Sequence, residues 1–289
     1  MITIGFFDGV HLGHRDLLRQ LREKAEERGL TPRVLTFQEH PALALGRPAP
    51  KLLTPVAEKR RLLENEGFEM IVLPFTPSLA AMTAPDFLDF LKEKYQVRAV
   101  LMGYNHRFGR PSGDENYEEW GKNTGVEVLR ATEFKFPGDG EQVSSSRIRQ
   151  ALEQADLSRA NRLLGRPYDL VGMVVEGRKI GRDLGFPTAN ILPSHSRQLI
   201  PAPGVYSCRA ILDDGTTWKA AVNIGRRPTL NNGEDITIEA HLPKYFGDLY
   251  GQHVRLEFLE FMRAERQFES LEALKLQLRE DVDKIKNKK

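Results

Sequence analysis

A single cysteine, Cys208, is all the thiol this chain has, so no internal disulfide is available and packing alone must hold the fold. No apolar run approaches the roughly 20 residues a membrane-crossing helix needs, which sets membrane roles aside. Charge of one sign is also missing. The 42 Lys and Arg stand against 40 Asp and Glu, interspersed rather than gathered into a stripe, and no clustered aromatic platforms accompany them. Nucleic-acid binding therefore lacks its electrostatic footprint, and small anionic ligands suit the chain better. The first five residues carry neither the basic nor the apolar region of a secretory leader, which together with the lone cysteine points to a cytoplasmic protein.

What is present is a change of rhythm. At 289 residues the chain is long enough for two cores, and the expected domains are 1–155 and 156–289. Strands are predicted over 1–4, 33–37, 70–74, 98–102 and 127–129. Helices are predicted from His11 to the Gly29 stop, from Thr54-Pro55 to Gly67, over 85–95 and over 116–124. Such alternation predicts a doubly wound parallel sheet with ligands at the C-terminal strand ends. Two short helices, 146–154 and 156–164, lead to a joint at Gly165-Arg166-Pro167. Short strands follow over 170–175, 205–212, 218–222, 236–242 and 254–261, the spacing of a small antiparallel barrel. Ser270 then caps a terminal helix with Leu271, Leu274, Leu278, Val282 and Ile285 on one stripe.

Two glycine-bearing segments carry the chemistry, and each follows a strand-like run. Gly5-Phe6-Phe7-Asp8-Gly9-Val10-His11-Leu12-Gly13-His14 sets two histidines at the mouth of a helix, where free amides and the helix dipole favour anions. Gly177, Gly181 and Gly185 precede Pro187-Thr188-Ala189-Asn190, whose hydroxyl and amide share a face if the segment is extended. That pair serves Mg²⁺ with ATP phosphates, or else satisfies its own turn. Ser144 and Ser146 bind phosphate or simply cap a helix, and Arg149 is placed to reach a phosphate. Two such segments predict two ATP sites and consecutive reactions.

The order of these motifs resembles the prokaryotic bifunctional riboflavin kinase/FAD synthetase family. The first half matches through Gly5–His14, Thr36-Phe37-Gln38-Glu39-His40-Pro41, Gly103–Gly109 and Ser144-Ser145-Ser146-Arg147-Ile148-Arg149. The second half matches through residues 177–190, Gly204-Val205-Tyr206, Asn223-Ile224-Gly225-Arg226-Arg227-Pro228-Thr229, Ile238-Glu239-Ala240-His241-Leu242 and Asp248-Leu249-Tyr250-Gly251. Asn105 and His106 depart from the Asp-Phe more usual in the family, as does Pro243-Lys244-Tyr245-Phe246 from its usual continuation.

The resemblance implies a Rossmann-like nucleotidyltransferase sheet followed by a flavokinase barrel with a C-terminal helix. It implies phosphorylation of riboflavin to FMN with ADP as by-product, then adenylylation of FMN to FAD with release of pyrophosphate, both using ATP and Mg²⁺. For the adenylyltransferase it implies Gly5, Phe7, Asp8, Gly9, His11, Gly13, His14, Ser144, Ser146 and Arg149 as ATP ligands, and Asn105, Arg107 and Phe108 as flavin contacts. His11 and His14 act there on transition-state charge. For the kinase it implies ATP contacts from Gly177, Gly181, Gly185, Pro187, Thr188 and Asn190, with Thr188 and Asn190 on the metal. Glu239 is the implied base, and Arg263 and Glu265 flank the flavin, unless those last two only pair with each other. The alternative is a nucleotidyltransferase for another phosphorylated acceptor, with the barrel non-catalytic. Weak self-association is left open.

Overall fold

The computed structural model describes residues 1–106, 108–109, 116–138, 140–177, 185–228 and 234–287; the predicted site residues Arg107 and Gly181 lie outside them. The chain divides into two compact units, Met1–Ser145 and Ser146–Lys289.

The first unit is a five-stranded parallel sheet of order β3-β2-β1-β4-β5, built from β1 (Ile2–Ile4), β2 (Arg33–Phe37), β3 (Glu69–Leu73), β4 (Ala99–Met102) and β5 (Glu127–Arg130). Helices α1 (Leu12–Glu26), α2 (Pro41–Ala44), α3 (Val56–Asn65), α4 (Pro77–Ala81), α5 (Ala84–Tyr95) and α6 (Tyr117–Thr124) connect the strands. The strands read as continuous apolar runs because both faces are covered: Ile2, Leu35, Leu88 and Val100 pack in one cluster and Leu18, Leu21, Val34 and Leu101 in another. Strand order reverses at β1/β4, so the loops after those two strands flank the crevice where such sheets bind ligands. The residues of Gly5–His14 and of Gly103–His106 stand there. The sequence reading omitted α2 and α4, which are single turns started by Pro41 and Pro77 rather than by a long apolar period.

The second unit opens with α7 (Ser145–Glu153) and α8 (Leu157–Leu164), the latter capped by the Asp156 side chain and stopped by Gly165 at φ 70. A closed antiparallel barrel follows, of order β10-β7-β6-β11-β8-β9. Its strands are β6 (Tyr168–Val175), β7 (Ala189–Pro193), β8 (Gly204–Leu212), β9 (Thr217–Pro228), β10 (Glu234–His241) and β11 (His253–Arg263). Tyr206, Ala220, Val222, Ile224, Ile238 and Leu256 fill the core. The sixth strand, β7, was not among the predicted ones; it is short and closes the barrel against β10 through the pairs Glu239↔Asn190 and Ala240↔Ala189. Strand β9 also runs well past the predicted stop at Val222.

Helix α9 (Leu271–Asn287) starts from the Ser270 cap. Its stripe differs from the predicted one at the first turn. Leu271 is exposed, whereas Gln277, Asp281, Val282 and Ile285 are buried. Asp281 can be buried because Arg263 and Gln277 supply it with donors.

Candidate active sites

In the first unit the loop after β1 is held in an uncommon backbone. Phe7 and Val10 take φ of 51 and 41, and Gly9 takes 90. For β-branched Val10 this is a strained conformation, of the kind that survives only where surroundings fix it. Two ties do so. The buried Asp8 carboxylate accepts the Leu53 and Thr54 amides at 2.9 Å each, and the Asp8 carbonyl accepts the Ser145 hydroxyl at 2.8 Å. Asp8, expected as an ATP ligand, thus also has a strut's task.

His11 caps α1 with its imidazole, an unusual choice beside Ser, Thr, Asp or Asn. Its Nδ1 accepts the His14 amide at 3.3 Å. The His14 ring stacks on it, centroids 3.6 Å apart and planes 13° from parallel, and Phe7 lies 5.0 Å from His14 on another side. Gly13 is spaced for this stack, since a Cβ there would touch the His11 ring at 3.4 Å. Burial, then His11, then Lys59, push the His14 pKa well below the ordinary imidazole range, so His14 is neutral at pH 7. Its Nδ1 is shielded from solvent and has no hydrogen-bond partner. Gly5 continues the β1 ladder through Leu35, and its missing Cβ gives way to the Phe7 ring.

Beside this loop a cavity of about 250 Å³ opens at the C-terminal ends of β1, β2 and β4, lined by Ile4, Phe37, Phe75, Phe87 and Phe108. His106 is the one polar side chain among the described lining residues. Burial, then Arg130, lower its pKa. The predicted flavin residue Phe108 is therefore in the cavity wall, while Asn105 occupies the turn between β4 and His106. Ser144 precedes α7, and Ser146 and Arg149 sit on it, in the second unit.

The second unit's site is written in strand register. Glu239 on β10 stands opposite Asn190 on β7 and Asn223 on β9, so the three side chains share the outer face of the barrel. The Thr188 hydroxyl donates to Glu239 Oε2 at 3.4 Å, a long contact. Gly177 packs so closely that a Cβ would fall 1.9 Å from Asn190 Nδ2, and Gly185, at φ 85, turns the chain back into β7. His241 Nδ1–H donates to the Pro187 carbonyl at 2.8 Å, with Phe186 edge-on to the same ring. That bond fixes the tautomer and holds the Pro187-Thr188 turn. A cavity of about 290 Å³ adjoins Thr188, walled by Val174, Pro187, Leu242, Tyr245, Asp248 and Tyr250.

Glu265 and Arg263 separate. Glu265 accepts the Asn223 amide at 3.4 Å and covers Gly225, which puts it on the Glu239 face. Arg263 donates to the buried Asp281 in three contacts, at 2.8, 3.1 and 3.3 Å, so the pairing of Arg263 with Glu265 weighed from the sequence is replaced by an ion pair with α9. Asn223 and His241 were not among the predicted site residues, although both fall in the matched motifs. Their signal was strand parity: once β9 and β10 are aligned, each stands in step with Glu239.

Residues 1–147 match the family model described as FAD synthetase, and residues 164–289 match that described as riboflavin kinase. The bifunctional riboflavin kinase/FMN adenylyltransferase of Haemophilus influenzae is 36% identical over 290 residues, 99% of this chain and 92% of that protein. Its counterpart in Bacillus subtilis is 34% identical over 97% of this chain and 90% of its own length. A crystal structure described as a macrolide-efflux protein from Streptococcus pneumoniae superposes with a TM-score of 0.89 at 31% identity, covering 100% of this chain and 94% of that one. Among the described residues here, no helix is long and apolar enough to cross a membrane.

Proposed function

The chain belongs to the bifunctional riboflavin kinase/FMN adenylyltransferase family, and from that premise we propose which residues perform each of its two reactions. It phosphorylates riboflavin to FMN and adenylylates FMN to FAD, with ATP as donor in both. The first step is assigned to a kinase domain over 156–289 and the second to an adenylyltransferase domain over 1–155, in a cytoplasmic enzyme without nucleic-acid or membrane partners.

In the kinase, Glu239 accepts the proton of the riboflavin 5′-hydroxyl while the oxygen attacks the γ-phosphorus and the bridging bond to ADP breaks. A carboxylate is a sufficient base because loose phosphoryl transfer needs little nucleophilic push. Thr188 and Asn190 offer a hydroxyl and an amide oxygen, the hard ligands that suit Mg²⁺. Among the described residues no three His, Cys, Asp or Glu side chains converge as a metal cage, and Thr188 and Asn190 are the residues that would hold the ion beside ATP. Bound there, Mg²⁺ supplies charge neutralisation for the β- and γ-phosphates. Gly177, Gly181, Gly185 and Pro187 shape the nucleotide loop, and Arg263 and Glu265 border the flavin. The observation that carries this assignment is the register that sets Glu239 opposite Asn190 with Thr188 beside it.

In the adenylyltransferase the FMN phosphate attacks the α-phosphorus of ATP and pyrophosphate leaves. The nucleophile is already an anion, so there is no proton to remove, and donors to the developing charge matter more than a base. The stacked His11 and His14 and the Gly5–Gly9 loop supply them, while Ser144, Ser146 and Arg149 are phosphate ligands by family motif alone. The Phe108 cavity takes the flavin ring, helped by Asn105 and Arg107. A time course with riboflavin, ATP and Mg²⁺, resolved by chromatography, is expected to give FMN first and FAD second. If neither riboflavin nor supplied FMN is converted, the proposal fails.

A further inference from the structure

Under the strained loop lies a cation that neither reaction has so far used. Lys59, on α3, is 0% exposed. Its ammonium donates to the Phe6 carbonyl and, at 3.3 Å, to the Thr36 hydroxyl, which itself donates to the same carbonyl at 3.1 Å. It also sits 4.0 Å from the centre of the Phe6 ring. Two titratable groups face it from other elements: Asp8 in the loop after β1, and His14 on α1. Asp8 attracts the ammonium, and the His14 pKa is in turn lowered by it.

Burying an ammonium against a carbonyl, a hydroxyl and a ring is costly even with the Asp8 carboxylate partly opposing that cost, and a leucine or methionine would fill the space without it. The charge makes physical sense if anions arrive nearby, because a cation in a low-dielectric interior acts over a longer distance than one in water. The location agrees. Lys59 grips the peptide just before Phe7, where the chain enters its left-handed stretch, and its charge reaches His14.

We propose that Lys59 is a positioning residue for adenylyl transfer. It clamps the Phe6 carbonyl so that Phe7–Val10 keep their backbone, and it sets one buried positive charge beneath the seat of the ATP phosphates, acting through the loop and His14 without touching substrate. This rests on the assignment of ATP to the Gly5–His14 loop.

The test uses the full-length enzyme and measures kcat/KM for ATP in FMN adenylylation from pH 6.5 to 9.5, with riboflavin phosphorylation by the same chain as internal reference. Burial lowers the Lys59 pKa to about 8, with Asp8 partly opposing, so its charge is lost as pH rises through that value. The wild type is expected to lose adenylylation efficiency above about pH 8, with no matching loss in the kinase step. Lys59→Met is expected to cut the efficiency roughly 10²-fold, as when a catalytic loop is displaced by about 1 Å, to abolish the basic limb and to spare the kinase. If Lys59→Met stays within about threefold of wild type, or if the wild-type profile is flat to pH 9.5, the proposal is overturned. Should Lys59→Met fail to fold, the wild-type profile alone decides. A wild type that makes no FAD from FMN at any pH would instead overturn the functional assignment.

Discussion

The two sites solve opposite problems with opposite materials. The first unit handles a nucleophile that arrives as an anion, and around its strained loop it gathers nitrogen groups, the buried His11 and Lys59 and the half-buried His14. The second unit handles a neutral alcohol, and there half-buried oxygen groups, Thr188, Asn190 and Glu239, lie at or beside regular strand pairing, with the exposed Glu265 alongside. Charge on the nucleophile thus dictates both the donor chemistry and the depth of the site. An anion is drawn to buried donors whose field is unscreened; a base must stay hydrated enough to remain ionised.

The sharpest way to break the comparison is Glu239→Gln. Removing the base is expected to slow riboflavin phosphorylation by about 10²–10⁴-fold while supplied FMN is still turned into FAD, as read by product chromatography. His14→Ala is the mirror experiment. Loss of one donor to developing charge is expected to lower FAD formation by about 10²–10³-fold and to let FMN accumulate from riboflavin at the normal rate. Equal damage to both steps by both variants, with the fold intact, would show that the sites are not divided between the units.

A smaller effect is expected from Gly177→Ala. The new methyl group has no room beside Asn190 Nδ2, so the amide must swing away and the kinase KM for Mg·ATP is expected to rise about tenfold, the worth of one hydrogen bond, with adenylylation unchanged. The smallest concerns stability. His14 has its folded pKa lowered mainly by burial, so below about pH 6.5 the unfolded chain takes up a proton that the folded chain refuses. The stability contribution is complete above pH 6.5 and is lost as pH falls through the folded value. Thermal melts from pH 7.5 to 5 are expected to slope less steeply for His14→Ala than for the wild type.

How much of this was legible in the sequence follows the same division. The parallel sheet and its helices were readable because apolar period, Gly stops and caps agree; Gly29 and Gly67 follow their helices at φ 61 and 80. Strand β9 was read short because Asn223-Ile224-Gly225 looks like a turn, yet the chain stays extended there with Glu265 packed on Gly225. Strand β7, bracketed by Pro187 and Pro193, is too short to show a period. Lys59 was missed for a different reason. It lies on the stripe of Val56, Leu62 and Leu63, a polar residue where spacing demands an apolar one, and Asp281 repeats the pattern beside Leu278, Val282 and Ile285. Conflict between period and residue type is therefore a usable signal: at both places it marks a charge that tertiary structure employs.

The barrel's shortest ladder is the join of β7 to β10, and Glu239, the proposed base, and Asn190 sit on it. With two residue pairs there against eight between β8 and β9, this is the stave that parts most easily while the remaining hoops hold. The cylinder's weakest seam therefore coincides with the edge that carries Glu239 and Asn190, the two residues on which the proposed kinase step most depends.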